Sequence, residues 1–152
     1  MERTSGLIDS TLREGGQAVG VHFTPTEQYA VVQELAAIGI EEIEVGIASR
    51  RYQKELAELV RDIRAVHGGT LRLAAWARCR AEDIEVAARG GVDVLSLSIP
   101  VSERLLLSKL SLPPQEVLAL LAGAVKQAKG LIPYVSLGLE DATRAEPAFL
   151  DP

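Results

Sequence analysis

The sequence predicts an α/β fold of parallel strand–helix units, and three observations lead there. Short apolar runs alternate with longer amphipathic stretches along the chain, which is the pattern of βα repeats. The breaks fall at turn-forming pairs, Gly68-Gly69, Gly90-Gly91 and Pro113-Pro114. At 152 residues, 47% of them apolar and 24% charged, the chain is of one-domain size and can bury a core; the composition is neither disordered nor fibrous.

The elements follow in order. A first strand is expected over Gly6 to Asp9, running into a glycine-containing loop. Thr24-Pro25-Thr26-Glu27 then opens a helix. Thr24 and Glu27 have capping-box spacing, and Pro25 suits the first helical position, where its missing N–H is not needed. That helix should end near Gly39. Residues 41–47 alternate as a strand, and 50–67 carry Tyr52, Leu56, Leu59, Val60, Ile63 and Val66 at helical spacing. Gly68-Gly69 stops this second helix. A third strand is expected at 71–76, with a helix from about Ala81 to Arg89, and a fourth strand at 92–99 after Gly90-Gly91. Pro113-Pro114 open a helix reaching about Lys129, with Gly130 its expected stop, and a fifth strand at 131–137 leads into Leu-Glu-Asp-Ala-Thr-Arg and a polar segment ending at Pro152.

Four complete βα units plus a fifth strand fit two architectures. One is an open doubly wound sheet; the other is a (β/α)8 barrel, which typically needs about 250 residues. Length favours the open sheet, and the choice passes to the motifs. Charge narrows function: Lys+Arg 16 against Asp+Glu 21 gives a net charge of -5 with no basic run, which argues against a nucleic-acid partner. A single cysteine excludes a disulfide framework and a cysteine-built zinc site and points to a reducing, cytoplasmic address. No apolar stretch reaches the roughly 18 residues of a membrane span, and Met-Glu-Arg-Thr-Ser-Gly has no hydrophobic signal region.

The chemistry-bearing residues gather at strand ends. Asp-Ser-Thr-Leu-Arg-Glu-Gly-Gly-Gln at 9–17 places Asp9, Arg13, Glu14 and Gln17 in one loop after the first strand. An adjacent Arg and carboxylate there can hold a divalent cation and the charged oxygen of a bound acid side by side; by composition alone the same run reads as a solvated turn. Glu44 in the second strand and Glu140 just after the fifth add carboxylates that can converge on one rim, the alternative for Glu44 being an outward-facing position.

The run at 9–17 resembles the D-[ST]-T-L-R-[DE]-G-x-Q signature of the homocitrate synthase and isopropylmalate synthase family, which shares its barrel with 3-hydroxy-3-methylglutaryl-CoA lyase. The resemblance continues through Ile-Glu-Val-Gly-Ile at 43–47, Trp-Ala-Arg at 76–78, Leu-Ser-Ile-Pro-Val-Ser at 97–102, Lys-Leu at 109–110 and Gly-Leu-Glu-Asp-Ala-Thr-Arg-Ala at 138–145. It implies a partial (β/α)8 TIM barrel, about strands one to five with outer helices: residues 1–152 would be the N-terminal portion of a pyruvate-carboxyltransferase-like or HMGL-like barrel. Within the family the motifs look most like nitrogenase-associated homocitrate synthases, which ties the chain to nitrogen fixation and amino-acid biosynthesis. Lysine-pathway homocitrate synthases usually show His where this chain has Trp76 and Arg where it has Ser136.

The resemblance further implies an acyltransferase carrying out a Claisen-type condensation of acetyl-CoA with a 2-oxo acid such as 2-oxoglutarate; isopropylmalate or citramalate synthase chemistry is the alternative. A divalent cation (Mg, Mn or Zn) would be held by Glu14. Arg13 would lie beside the reacting oxygens, Gln17, Glu44, Trp76 and Arg78 would line the oxo-acid pocket, Glu140 would join proton transfer, and Asp9 would orient its loop. Interactions with a developing alkoxide strengthen in the transition state and so contribute to rate.

The family's H-x-H metal pair on the seventh strand has no counterpart in these residues. His22 and His67 are expected to be structural, His67 suiting a helix C-terminus. A five-stranded arc leaves two parallel edges that favour association. The expectation is an isolated chain without activity that works with a complementary C-terminal half, in a homo-oligomer, or as part of a longer chain; a non-catalytic paralogue that binds a partner is the remaining class. Cys79 reads as a small buried residue and Ser102 as a helix N-cap. Arg78 and Arg80 pair either with a substrate carboxylate or with rim acids.

Overall fold

The structure, a computed structural model, describes residues 6–150. The polar run Met1–Ser5, read above as lacking a signal region, and the terminal Asp151-Pro152 lie outside the described residues.

Five strands form one parallel sheet: β1 (Ile8–Asp9), β2 (Glu42–Ile47), β3 (Arg72–Arg78), β4 (Val94–Pro100) and β5 (Tyr134–Glu140). They lie in the order β1-β2-β3-β4-β5, each pair parallel. This order settles the architecture. A doubly wound sheet reverses direction at a switch point, whereas strands added always on the same side, with right-handed crossovers, keep every helix on one face and curl the sheet into an arc of barrel.

The helices α1 (Pro25–Ala37), α2 (Gln53–His67), α3 (Ala81–Gly90) and α5 (Pro114–Leu131) fill the crossovers. Leu56, Leu59, Val60 and Ile63 of α2, Ile84 and Ala87 of α3, and Val117, Ala124 and Ala128 of α5 join Ile43, Leu73, Ala75, Leu95, Leu97 and Ile99 of the strands in a single core. Glu44, Trp76, Ser96, Ser98, Ser136 and Glu140 occupy alternate strand positions and face the concave side. The helix start at Thr24 has the expected form: its hydroxyl accepts from Glu27 N and the Glu27 carboxylate accepts from Thr24 N.

Several boundaries differ from expectation. Tyr52 lies before α2, and Val66, in its last turn, is exposed; the buried stripe is four residues. Gly130 is not a helix stop. α5 runs on to Leu131, and Ile132 turns extended (φ -130, ψ 135), as the residue before Pro133 must. The fifth strand therefore starts at Tyr134 rather than 131 and includes Glu140. After β4, the one-turn helix α4 (Glu103–Leu105) continues into a π turn at Leu106–Leu110, a feature sequence reasoning missed. Among the described residues no single helix is long and apolar enough to cross a membrane.

Candidate active site

The loop after β1 is built to present Arg13 and Glu14. Asp9 holds its start, accepting from Thr11 N at 2.9 Å and Thr11 Oγ1 at 3.0 Å. Arg13 N and Glu14 N both donate to Ser10 O, at 3.1 and 2.8 Å, which closes a single turn. Leu12, 5% exposed, pins that turn into the core.

Arg13 is then clamped between two carboxylates. Its Nε donates to Glu44 Oε2 at 2.7 Å, and its Nη1 pairs with Glu14 Oε1. Glu44 is buried against Arg13 and borders the same cavity as Glu14 and Glu140, so of its two possible orientations the concave one holds. The register of β2 against β3 slips between Glu44 and Gly46, a bulge of the kind that re-aims side chains at functional edges. A buried carboxylate needs a charged partner, and Arg13 is that partner.

Across the concave face, Glu140 is held by two donors. Ser98 Oγ donates to its Oε1 at 2.8 Å and Lys109 Nζ to its Oε2 at 2.6 Å. Burial pushes this carboxyl up, and the two hydrogen bonds, with the Lys109 charge, outweigh it and bring it below its ordinary value. Between the two clusters lies an open cavity of about 590 Å³ bordered by Arg13, Glu14, Gln17, Glu44, Trp76, Ser96, Ser98, Lys109, Ser136 and Glu140. Ser136 Oγ donates to Ser96 Oγ at 3.1 Å on its floor. Glu14, Glu44 and Glu140 thus face one cavity on the concave side.

Arg78 does not join them. Its guanidinium turns to the α3 N-terminus, where Nε and Nη2 donate to Asp83 Oδ2 and Oδ1 at 2.7 and 3.1 Å. Asp83 is 1% exposed and takes the nearest planar cation; its hydrogen bond raises the Arg78 pKa further. Arg80 is exposed at the N-cap of α3. His22 is exposed in the first loop, and His67 ends α2 with Nε2 2.8 Å from Gln33 Nε2. Cys79 is buried, its Sγ directed to Ser98 O at 3.6 Å, and burial together with the Glu140 charge pushes the thiol up to about 11. Ser102 caps α4. Sequence reasoning assigned no role to Lys109 or Ser98; the Lys-Leu pair in the motif series was the available signal.

Among the described residues no three metal-ligating side chains come together, and the Glu14 and Glu44 carboxylates are both engaged by Arg13. The residues present do not make a cation site by themselves.

A family model described as HMGL-like matches residues 5–151. The chain belongs to the HMGL-like family. Among curated relatives of this HMGL-like chain, 2-isopropylmalate synthase 2 of Caldanaerobacter subterraneus is 36% identical over 95% of this chain and 37% of its own length. Homocitrate synthase of Frankia alni is 37% identical over 95% of this chain and 40% of its own length. Homocitrate synthase subunit alpha of Clostridium pasteurianum is 31% identical over 95% of this chain and 52% of its own length. The chain thus spans about two fifths to one half of the length of these relatives. The fold is shared with HMG-CoA lyase of Bacillus subtilis, at TM-score 0.69 and 18% identity over 86% of this chain and 45% of that one. The five strands are accordingly a curled part of a TIM barrel.

Proposed function

We propose that this chain supplies the first part of the active site of an acyl-CoA condensing synthase, a homocitrate synthase-like acyltransferase joining acetyl-CoA to a 2-oxo acid. One observation carries the reading: a guanidinium held by Glu44 and Glu14 faces, across one cavity, a carboxylate held by Lys109 and Ser98. Arg13, with two of its N–H groups fixed, turns the rest of its fork toward the keto and carboxylate oxygens of the oxo acid and toward the charge that develops when the ketone becomes an alkoxide. Glu140 accepts the proton from the methyl carbon of the thioester. Trp76 and Gln17 border the oxo acid. 2-Oxoglutarate is the proposed acceptor, on the motifs at 76–78, 97–102 and 138–145; relatives named for isopropylmalate and citramalate synthesis support the alternative acceptors.

In this reading Glu14 is one ligand of a divalent cation whose other ligands come from the remaining barrel strands, and none of the steps above runs through it. Those strands come from the same polypeptide or from a complementary one. A relative named as a subunit alpha supports the second arrangement. The edges β1 and β5, with Ile8 63% and Tyr134 56% exposed, are where they would pair.

The test is thiol release from acetyl-CoA with 2-oxoglutarate and Mg²⁺ or Mn²⁺. The chain by itself gives no turnover above background, and addition of a polypeptide carrying strands six to eight of a relative restores it. Turnover by the purified 152-residue chain, or none in any reconstituted mixture with any 2-oxo acid, overturns the proposal.

A further inference from the structure

The π turn at Leu106–Leu110 is what puts a cation against Glu140. Its closing bond runs from Ser111 N to Leu106 O at 2.8 Å, one residue wider than an α turn, and it ends with Ser111 in the left-handed region (φ 54). Insertions of this kind rotate the side chains that follow and recur at functional positions. Leu106, 3% exposed, anchors the near end in the core. The far end then carries Lys109 over the cavity mouth.

A second device fixes the segment to β5. Ser102 Oγ donates to Asp141 Oδ2 at 2.6 Å while accepting from Leu105 N, and Arg144 Nε donates to Asp141 Oδ1 at 2.7 Å. Asp141 itself is in the left-handed region (φ 64), a conformation that persists where the surroundings over-determine it. Val101 N donates to Glu140 O at 3.1 Å. The backbone that bears Lys109 is therefore latched, at its base, to the residue beside the carboxylate that Lys109 touches.

We infer that Lys109 is a positioning residue that keeps Glu140 ionised and aimed into the cavity, with the π turn as the device that delivers it. The chemical consequence rests on the proposed condensation: an ionised, oriented Glu140 is the form that can accept the thioester's α-proton. The groups around Glu140 are Lys109 from the π turn, Ser98 from β4 and the buried Cys79 thiol beyond β3. Asp141 and Arg144 on its own loop are paired with one another, and Arg13, Glu14 and Glu44 stand across the cavity. Lys109 is the cation bonded to it.

The experiment titrates the Glu140 side-chain carboxyl carbon by NMR in the full chain labelled at glutamate, the signal being assigned by its loss in Glu140→Gln. Lys109→Met should move the midpoint up by about one pH unit or more, and Lys109→Arg should restore most of the wild-type value. A midpoint that stays in place in Lys109→Met overturns the inference. In the reconstituted synthase the same variant should lower kcat with little change in KM for the oxo acid, and move the acidic limb of kcat/KM to higher pH by the same interval. A shifted carboxyl in a protein that never condenses would uphold the Lys109–Glu140 coupling and overturn the chemistry assigned to it; the two failures are distinguishable.

Discussion

The two ends of the sheet use the same residue types for different ends. At the N-terminal end of the strands, Arg64 pairs with Asp93 and also donates through Nη1 to Leu71 O at 2.8 Å and Gly68 O at 3.1 Å, while Asp93 Oδ2 accepts from Leu73 N at 2.7 Å. Beyond their own pairing, both side chains are tied to backbone. At the C-terminal end, Arg13 is bonded to Glu44 and Glu14 and still borders the 590 Å³ cavity. A guanidinium bonded to backbone carbonyls as well as to its acid ties strand to helix; one held by carboxylates alone borders open volume. That division agrees with the barrel rule that one face carries stability and the other chemistry.

Substitutions of the arginines and acids separate the two ends most sharply. If the proposed synthase is reconstituted, Arg13→Lys should lower its kcat/KM by about a thousandfold, since an ammonium cannot hold Glu44 and Glu14 and still present a planar fork. The urea midpoint should move little. An active Arg13→Lys enzyme would erase the distinction drawn at this end.

Cys79, behind Ser98, reports whether the floor under Glu140 is closed. With its thiol pushed up to about 11 from an ordinary 9.0, its thiolate fraction near pH 8 is about a hundredfold below that of an exposed cysteine. Alkylation followed by mass spectrometry should be slower in the folded chain by at least that factor and recover fully in denaturant.

At the opposite end, Asp93→Ala leaves Leu73 N–H and Arg64 without their acceptor. The pair is about a quarter exposed, so the expected cost is discounted to about 2 kcal/mol, read as a lower urea midpoint at unchanged slope. A loss of activity beyond what unfolding explains would show that this end is not purely structural.

The smallest effect is a pH dependence. Glu140 has a lowered folded-state value, so its contribution to stability is present above the unfolded carboxylate pKa and is lost as pH falls through that lowered value. The stability difference between wild type and Glu140→Gln should accordingly shrink toward acid pH. A difference that grew on acidification would mean that burial, not Lys109, sets this group.

What sequence reading made legible was local. Thr24, Pro25 and Glu27 announced a helix start because a capping box is closed within four residues. The run at 9–17 announced a polar strand-end loop because Asp9, Thr11, Arg13 and Glu14 bond to neighbours in the same turn. Arg78 misled for the complementary reason: its own spacing places it at a strand end, and only packing shows the buried Asp83 five residues on that takes its guanidinium.

The sequence by itself determined the alternation of strands and helices, the apolar faces that make them pack, and a set of acids and arginines at strand ends. The tertiary structure decided which of these meet. Arg13 finds Glu44 and Lys109 finds Glu140, each pair 31 residues apart in the chain, and both contacts depend on non-local geometry. One hangs on the bulge that shifts β2 against β3, the other on a π turn closed one residue wider than an α turn. A change of one residue in register rotates a side chain to another face, and that choice is made by the packing of neighbouring elements, whose energies no local pattern contains.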